Sequence, residues 1–393
     1  MSISNKMKMF AKNSSWIRKM FEEGARMKAK YGADNVYDFS IGNPDAPPPS
    51  QFDKILQEVA QDNTPEVHGY TSSDGHLWVR EAIAKKISAE QEVTVTGHDM
   101  LMTYGAAGGL NIALKTILNP GDEVIVLAPY FVDYLHYIDN HGGTSVVVET
   151  DKEFNLDLNA IGAAVNNKTK AILINSPNNP CGQIYSESAM AALGSLLQEA
   201  SEKFRQAIFI IADEPYRKIV FDGHQVPSIF KVYRNSIIVT SYSKDLSLPG
   251  ERIGHLAVHP EIDEKEQLLQ ALGLANRILG FMNAPAIMQR AVGAYPDGSV
   301  DISLYTQRRE SICSVLQEAG YEFTKPKGTF YIFPKSPIAD EVKFVAMLQD
   351  QKILTVPGRG FGMPGYFRIA FCAPDEVIKK SSEGFNRAMA MVS

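Results

Sequence analysis

The sequence predicts an α/β protein. Its large domain is built on a mostly parallel, doubly wound sheet, and a smaller α/β domain draws on both chain ends. Three observations predict this. Short apolar, β-branched runs alternate with longer stretches of helical periodicity, the pattern of strands joined by crossover helices. Three of those runs finish in polar clusters, and the carboxyl ends of strands in such a sheet are where ligands bind. The composition then resets at Tyr295-Pro296-Asp297-Gly298, and a second, shorter alternation follows. The expected division is residues 49–294 for the large domain, with 1–48 and 295–393 forming the small one.

The first element is a helix with Trp16, Met20, Phe21, Gly24 and Met27 on one face, capped by Ser14 or Ser15. A basic amphipathic helix of this kind packs on its own protein more often than it lies on a membrane. Asp38 to Asp45 leads into three prolines, Pro47 to Pro49, which end regular structure and suit a linker passing the mouth of a site. Gly75 and Arg80 open a helix carrying Leu77, Trp78, Ala82, Ile83 and Ile87.

Met100 to Tyr104 is a short strand, and Gly105-Ala106-Ala107-Gly108-Gly109 leads from it into a helix. That helix carries Leu110, Ala113, Leu114, Ile117 and Leu118 at helical spacing and stops at Asn119-Pro120-Gly121-Asp122. Small residues at a helix start let a phosphate approach bare N–H groups, where the helix dipole also favours an anion. A nicotinamide-dinucleotide fold is the alternative, and it fails on spacing. The run is not GxGxxG, it lies far from the N-terminus, and Asp122 and Glu123 precede the second strand instead of ending it.

Further strands are expected at Glu123–Ala128, Ser145–Glu149, Lys170–Asn175, Ala207–Ala212 and Ser236–Thr240, with a helix over Glu187–Arg205. From Pro260 to Ala294 the pattern is helical, with Leu268, Leu269, Leu272, Ala275 and Leu279. The small unit reads as a helix (Thr306–Glu318), a strand (Thr329–Pro334), a helix (Ala339–Gln349) and strands ending at Arg368-Ile369-Ala370. Gly358-Arg359-Gly360-Phe361-Gly362 superficially resembles a phosphate loop, but it precedes no helix and reads as a flexible turn.

At 393 residues the chain is long enough for two domains and a large core, and 45% hydrophobic with 21% charged residues is ordinary for a globular protein. A net charge of -6 offers no general attraction to nucleic acid or anionic membrane, so an anion site must be local. Cys181, Cys313 and Cys372 are scattered and lack CxxC spacing, and the eight histidines form no metal-ligand cluster, so no metal is expected. The lysine-rich start lacks an apolar core and cleavage site of the secretory kind, and no apolar run reaches membrane-spanning length; the cytoplasm is the expected compartment.

The chemistry gathers at Ser241-Tyr242-Ser243-Lys244, just past a buried strand. A lone lysine there would begin a surface loop, but shelter would lower the amine's pKa and make it a nucleophile. Its company supports the second reading. Asp245 to Gly254 brings Arg252 back after a Pro-Gly turn, and two hydroxyls with an arginine near one lysine suit a phosphate. Upstream strands end in Asp213-Glu214-Pro215-Tyr216 and in Ser176-Pro177-Asn178-Asn179-Pro180-Cys181-Gly182.

The order NSPNNPCG, ADEPY, SYSK and PGERIG resembles the fold-type-I pyridoxal-phosphate aminotransferases of the aspartate-aminotransferase superfamily, from about Asp38 to the last turn of the chain. The family has threonine where this chain has Cys181. The resemblance implies an aspartate-aminotransferase-like fold with pyridoxal 5′-phosphate as cofactor. Lys244 would carry the cofactor and, once released, move a proton between the substrate Cα and the cofactor's C4′. Asp213 would pair with the pyridine nitrogen, Asn179 and Tyr216 would hold the ring's 3′ oxygen, and Phe131 would stack on the ring. Gly105, Ala106, Ala107, Ser241, Ser243 and Arg252 would hold the phosphate, and Tyr70 would reach the phosphate of a neighbouring subunit in a homodimer. Gly42, Asn179 and Arg368 would meet the substrate, with Arg368 gripping its α-carboxylate. The implied reaction is transamination between an amino acid and a 2-oxo acid, leaning to aspartate or glutamate or to broad specificity. Arg277 lies near the place where some relatives supply an arginine for a second carboxylate. A carbon–sulfur β-lyase or decarboxylase on the same scaffold is the alternative. A cofactor-binding regulator is disfavoured, because no basic winged helix is visible.

Overall fold

The computed structural model describes residues 3–12 and 16–392; the expected cap at Ser14 or Ser15 lies outside them. Seven strands form the central sheet: β1 (Met100–Thr103), β2 (Glu123–Ala128), β3 (Thr144–Glu149), β4 (Thr169–Asn175), β5 (Phe209–Asp213), β6 (Ser236–Ser241) and β7 (Gly254–Val258). Their order is β1-β7-β6-β5-β4-β2-β3. β7 runs antiparallel to both of its neighbours, and every other pairing is parallel.

Alternation along the strands divides the core in two. Ile125, Leu127, Ile172, Ile174, Ile210 and Ile238 join one apolar cluster, while Val124, Val126, Leu173, Ile211, Ile237 and Val239 join another. Both faces are therefore dry, which is why these strands read as continuous apolar runs. The helix Gly105–Ile117 covers the second face, and Leu77–Gln91 and Glu187–Phe204 contribute to the first.

β7 was not anticipated. It begins at a glycine, contains His255 and follows directly on the Pro-Gly-Glu-Arg turn, so it offers no clear apolar run of its own. The helical stretch expected from 260 to 294 is two helices, Lys265–Ile278 and Ala286–Ala294. Gly280 (φ 80°) and Asn283 (φ 86°) take left-handed conformations between them, and Pro285 precedes the second. In the helix Trp16–Tyr31, Met20, Gly24 and Met27 face inward, but Phe21 is exposed; at 100° per residue it cannot share the face of Met20.

The small unit joins the chain's two ends. Tyr37–Asp38 pairs in parallel with Ile353–Leu354, while Tyr331–Ile332, Phe367–Ala370 and Val356–Pro357 form an antiparallel sheet. The strand expected over 329–334 is thus only two residues long. Gly358–Phe361 is a single 3-10 turn between strands. Phe39, Ile312, Leu316, Phe344, Phe367 and Phe385 share one core beneath the helices Ile302–Glu318, Glu341–Asp350 and Asp375–Ala390. The linker after Asp38 is fastened to this unit: Ala370 N–H donates to Phe39 O at 2.9 Å, and Arg308 holds Asp45 at 2.5 and 3.0 Å and Asp375 at 3.0 Å. That fastening places Gly42 above the carboxyl ends of the sheet. Among the described residues, no helix is long and apolar enough to cross a membrane.

Candidate active site

A cavity of about 290 Å³ opens where β4, β5 and β6 end and the small unit leans over them. Of the residues expected from sequence, Gly42, Ala106, Ala107, Phe131, Asn179, Asp213, Tyr216, Ser241, Ser243, Lys244, Arg252 and Arg368 all line it.

Lys244 stands on a one-turn helix, Tyr242–Asp245, that starts as β6 ends. Its Nζ donates to Gly42 O at 2.7 Å and lies 5.6 Å from the Phe330 ring centre. Burial pushes the amine's pKa down to about 8; Cys372 opposes the shift, and the cations of Arg368 and Arg252 add to it. A much larger share of the amine is therefore neutral and nucleophilic near neutrality than for an exposed lysine.

Asp213 ends β5. Tyr134 donates to its Oδ2 at 2.5 Å, while its Oδ1, fully buried, has no hydrogen-bond partner. Burial raises the carboxyl pKa to about 7, against the hydrogen bond from Tyr134 and with the charge of Glu214. Asn175, ending β4, ties the two strands by donating to Asp213 O at 2.8 Å and accepting from Asn179 N–H at 2.7 Å.

The anion cradle is a matter of close approach. Gly105 begins its helix at φ 68°, and a Cβ there would lie 2.9 Å from Arg252 Nη2. At Gly254 a Cβ would lie 2.4 Å from Thr240 O and 3.1 Å from Gly105 Cα. These glycines let the helix start, β6 and Arg252 converge. Ser241 caps the lysine's helix by accepting from Ser243 N–H at 3.4 Å. Gly105 itself supports the cavity from behind and does not line it.

Arg368, on the strand Phe367–Ala370, is 2% exposed and donates to Asn179 Oδ1 at 3.0 Å and Ser40 O at 2.6 Å. Among the described residues it has no carboxylate within ion-pairing distance, and its Nε has no partner. Burial draws its pKa down, and Tyr331 and Tyr216 oppose that. A buried guanidinium without an anion is costly, and a substrate carboxylate would relieve the cost.

Two residues from the sequence reading stand apart. Tyr70 is 88% exposed and does not reach the cavity of its own chain. Arg277 lines a different cavity, with Ser73, Asp74, His98 and Leu101. Conversely, Tyr134, Asn175 and Tyr331 belong to the site and were not assigned to it. Asn175 ends a quoted strand and so carried a signal; the two tyrosines sit within aromatic runs that read as core.

Fold and cavity together define the class: an α/β enzyme with a cavity set between a buried lysine and a buried aspartate. The chain belongs to the class I and II aminotransferases, whose family profile matches residues 34–382. It is 30% identical over 378 residues to an aspartate aminotransferase of Thermotoga maritima, covering 94% of this chain and 95% of that one. It is 26% identical to aromatic-amino-acid aminotransferase 2 of Thermococcus litoralis, over 99% and 98% of the two chains. A solved amino transferase from Eubacterium rectale superposes with a TM-score of 0.97 at 37% identity, each chain covered completely. This family transfers amino groups with pyridoxal 5′-phosphate, and the chain is an enzyme of that reaction, using amino acids and 2-oxo acids.

Proposed function

We propose that the cavity holds pyridoxal 5′-phosphate on Lys244 and that Arg368 presents an amino acid's α-carbon to it. The observation that carries this reading is the buried, unpartnered Oδ1 of Asp213 across the cavity from a partly neutral lysine. A protonated pyridine nitrogen would satisfy that oxygen, and the cradle at Ala106, Ala107 and Arg252, which Gly105 lets close up, suits a phosphate. The group supplies an electron sink for the substrate's Cα. The chain supplies the rest. Asp213, ionised by the pairing, keeps the ring nitrogen protonated, with Tyr134 fixing its other oxygen. Of the residues that line the cavity, Tyr216 and Asn179 would hold the 3′ oxygen, Phe131 would pack on the ring, and Ala106, Ala107, Ser241, Ser243 and Arg252 would take the phosphate. Arg368, with Asn179 and the Gly42 backbone, orients the α-carboxylate so that Cα–H points to Lys244, which takes and returns the proton at its Nζ.

The substrate leans to aspartate or glutamate or to a broad set, as relatives named for aspartate support. The division into 49–294 and 1–48 with 295–393, and a cytoplasmic homodimer, accompany the reading. Tyr70 would serve the partner's phosphate; its exposure and that of Leu77, Trp78, Leu274, Ile278 and Met282 support a covered face.

The test is a half-reaction screen. Purified protein is mixed with each amino acid in turn, without a 2-oxo acid, and the cofactor's absorbance is followed. Conversion by one or more amino acids is expected; no conversion by any of them, from a fully loaded protein, rejects the reading.

A further inference from the structure

Tyr331 lies where the site's separate tasks meet. It is 3% exposed and lines the cavity from the two-residue strand beside Phe367–Ala370, in register with Ala370. Its hydroxyl is 3.1 Å from the Tyr216 hydroxyl. Its ring centre is 4.4 Å from the Arg368 guanidinium carbon, so the cation lies over the aromatic face. The same hydroxyl presses on the linker: a Cβ at Gly42 would fall 1.7 Å from it, so only glycine fits beneath. Gly42 O in turn accepts from Lys244 Nζ.

We propose that Tyr331 is a positioning residue that locks the 3′-oxygen-holding hydroxyl of Tyr216, the carboxylate clamp of Arg368 and the Gly42 backbone into one geometry. The inference rests on the roles proposed above for Tyr216 and Arg368. Tyr331 touches all three and so couples groups that are otherwise held from separate elements. The Tyr216 hydroxyl has no other hydrogen-bond partner among the described residues. Arg368 keeps an unpartnered Nε and is steered by the rings of Tyr331 and Phe361, the latter at 4.8 Å. A cation on an aromatic face is directed as well as stabilised, and a buried hydroxyl pair fixes both rings.

Two substitutions in the cofactor-loaded enzyme separate the hydroxyl from the ring. Tyr331→Phe keeps the face under Arg368 and removes the contact with Tyr216. It should lower kcat about threefold to tenfold, leave KM for the amino acid within about twofold, and shift the midpoint of the absorbance titration of the bound cofactor. Tyr331→Leu also removes the face and should raise KM about tenfold in addition. A substrate amine lacking the carboxylate should feel the kcat loss in both variants and show no further KM loss in the leucine one. The proposal is overturned if the phenylalanine variant matches the wild type in kcat and titration midpoint. It is equally overturned if both variants lose kcat, KM and thermal stability in parallel, which is the behaviour of a core residue. The underlying reading fails separately, if the wild type shows no cofactor band that Lys244→Ala abolishes.

Discussion

Asp213 and Glu214 are neighbours in the chain, as are Lys244 and Asp245, yet each pair faces two ways. The first of each lines the cavity; the second lines a small enclosed space behind the strand ends. Behind, the chain settles its own charges. Arg217 donates to Glu214 at 2.9 Å, Lys86 is 3.6 Å from Glu90, and Lys218 is 3.9 Å from Asp245. Asp245 Oδ1 and His255 Nδ1 lack partners there, but they border about 20 Å³, room for a single water. In front, a carboxylate oxygen, an amine and a guanidinium converge without an ion pair among them. Buried charge is tolerable where the chain pairs it. Left unpaired around a cavity, it calls for a ligand that completes it.

The largest expected effect is at Lys244. Lys244→Ala should abolish the cofactor's characteristic absorbance and lower turnover by roughly a hundredfold to ten-thousandfold, the range of a lost positioned base. Borohydride reduction and peptide mapping check it, and a tag on another lysine would reject the assignment. Arg368 comes next. Losing one partner of a buried charge pair costs about 2–5 kcal/mol, so Arg368→Ala should lose about thirtyfold to several-thousandfold in kcat/KM. Arg368→Lys should recover only part, since an ammonium cannot make the paired hydrogen bonds of a guanidinium. An amine analogue without a carboxylate should barely register either change; equal loss on both substrates would make the arginine structural.

Asp213 sharpens the contrast through pH. Asp213→Asn should slow turnover about a hundredfold, with cofactor retained through the phosphate cradle. In the cofactor-free protein the carboxyl's pKa is raised from 3.8 to about 7, chiefly by burial. A raised carboxyl pKa means that the folded state holds the proton more tightly. Its stability contribution is full below the unfolded value near 4 and is lost as pH rises through about 7. Thermal unfolding of the cofactor-free protein should show that decline, and Asp213→Asn should remove it. Retention of the full decline in the asparagine variant would place the titration elsewhere.

Tyr70 tests whether the front is completed from outside the chain. If it serves a partner's phosphate, Tyr70→Phe should release cofactor about threefold to tenfold more readily, one hydrogen bond's worth. Mixing it with Arg368→Ala should restore some normal sites by subunit exchange, and a fully active monomer in sedimentation would refute it.

The same contrast explains what was legible in the sequence. β2 was read with its observed bounds, because a strand buried on both faces is a continuous apolar run. β7 was not, because its glycine serves close backbone approach and its histidine is neutral and buried, pushed down to about 3 by burial. The chemistry at strand ends was readable because polar residues after an apolar run break a pattern. Tyr134 and Tyr331 break none: each is an aromatic residue in an aromatic neighbourhood, and only the fold brings their hydroxyls to Asp213 and Tyr216. The charge cluster behind the site was equally invisible, for Lys86 and Glu90 come from a helix more than a hundred residues before Glu214, Arg217 and Lys218.

The smallest expected effect lies on that hidden side. Glu214 is one residue from Asp213, yet Glu214→Gln should leave turnover within about threefold, because its carboxylate points away from the cavity and amide for carboxylate conserves its shape. Arg217 would not be stranded, since it also donates to Glu90 O at 3.0 Å and Val226 O at 3.1 Å. Stability should still change, and with a definite sign. Burial raises the Glu214 pKa from 4.5 to about 6, with Arg217 opposing and Glu90 reinforcing the shift. The wild type therefore carries a contribution that is full below about 4.5 and is lost as pH rises through about 6, and a glutamine has nothing to lose there. Thermal unfolding of the loaded wild type and variant, compared from pH 4.5 to 7, should move in the variant's favour. Loading matters, because in the proposed pairing Asp213 would be held ionised by the ring nitrogen and its titration kept out of the same window. A variant that loses turnover as Asp213→Asn does would show that the two faces are not separate, and that the charge behind the strand ends takes part in the chemistry in front.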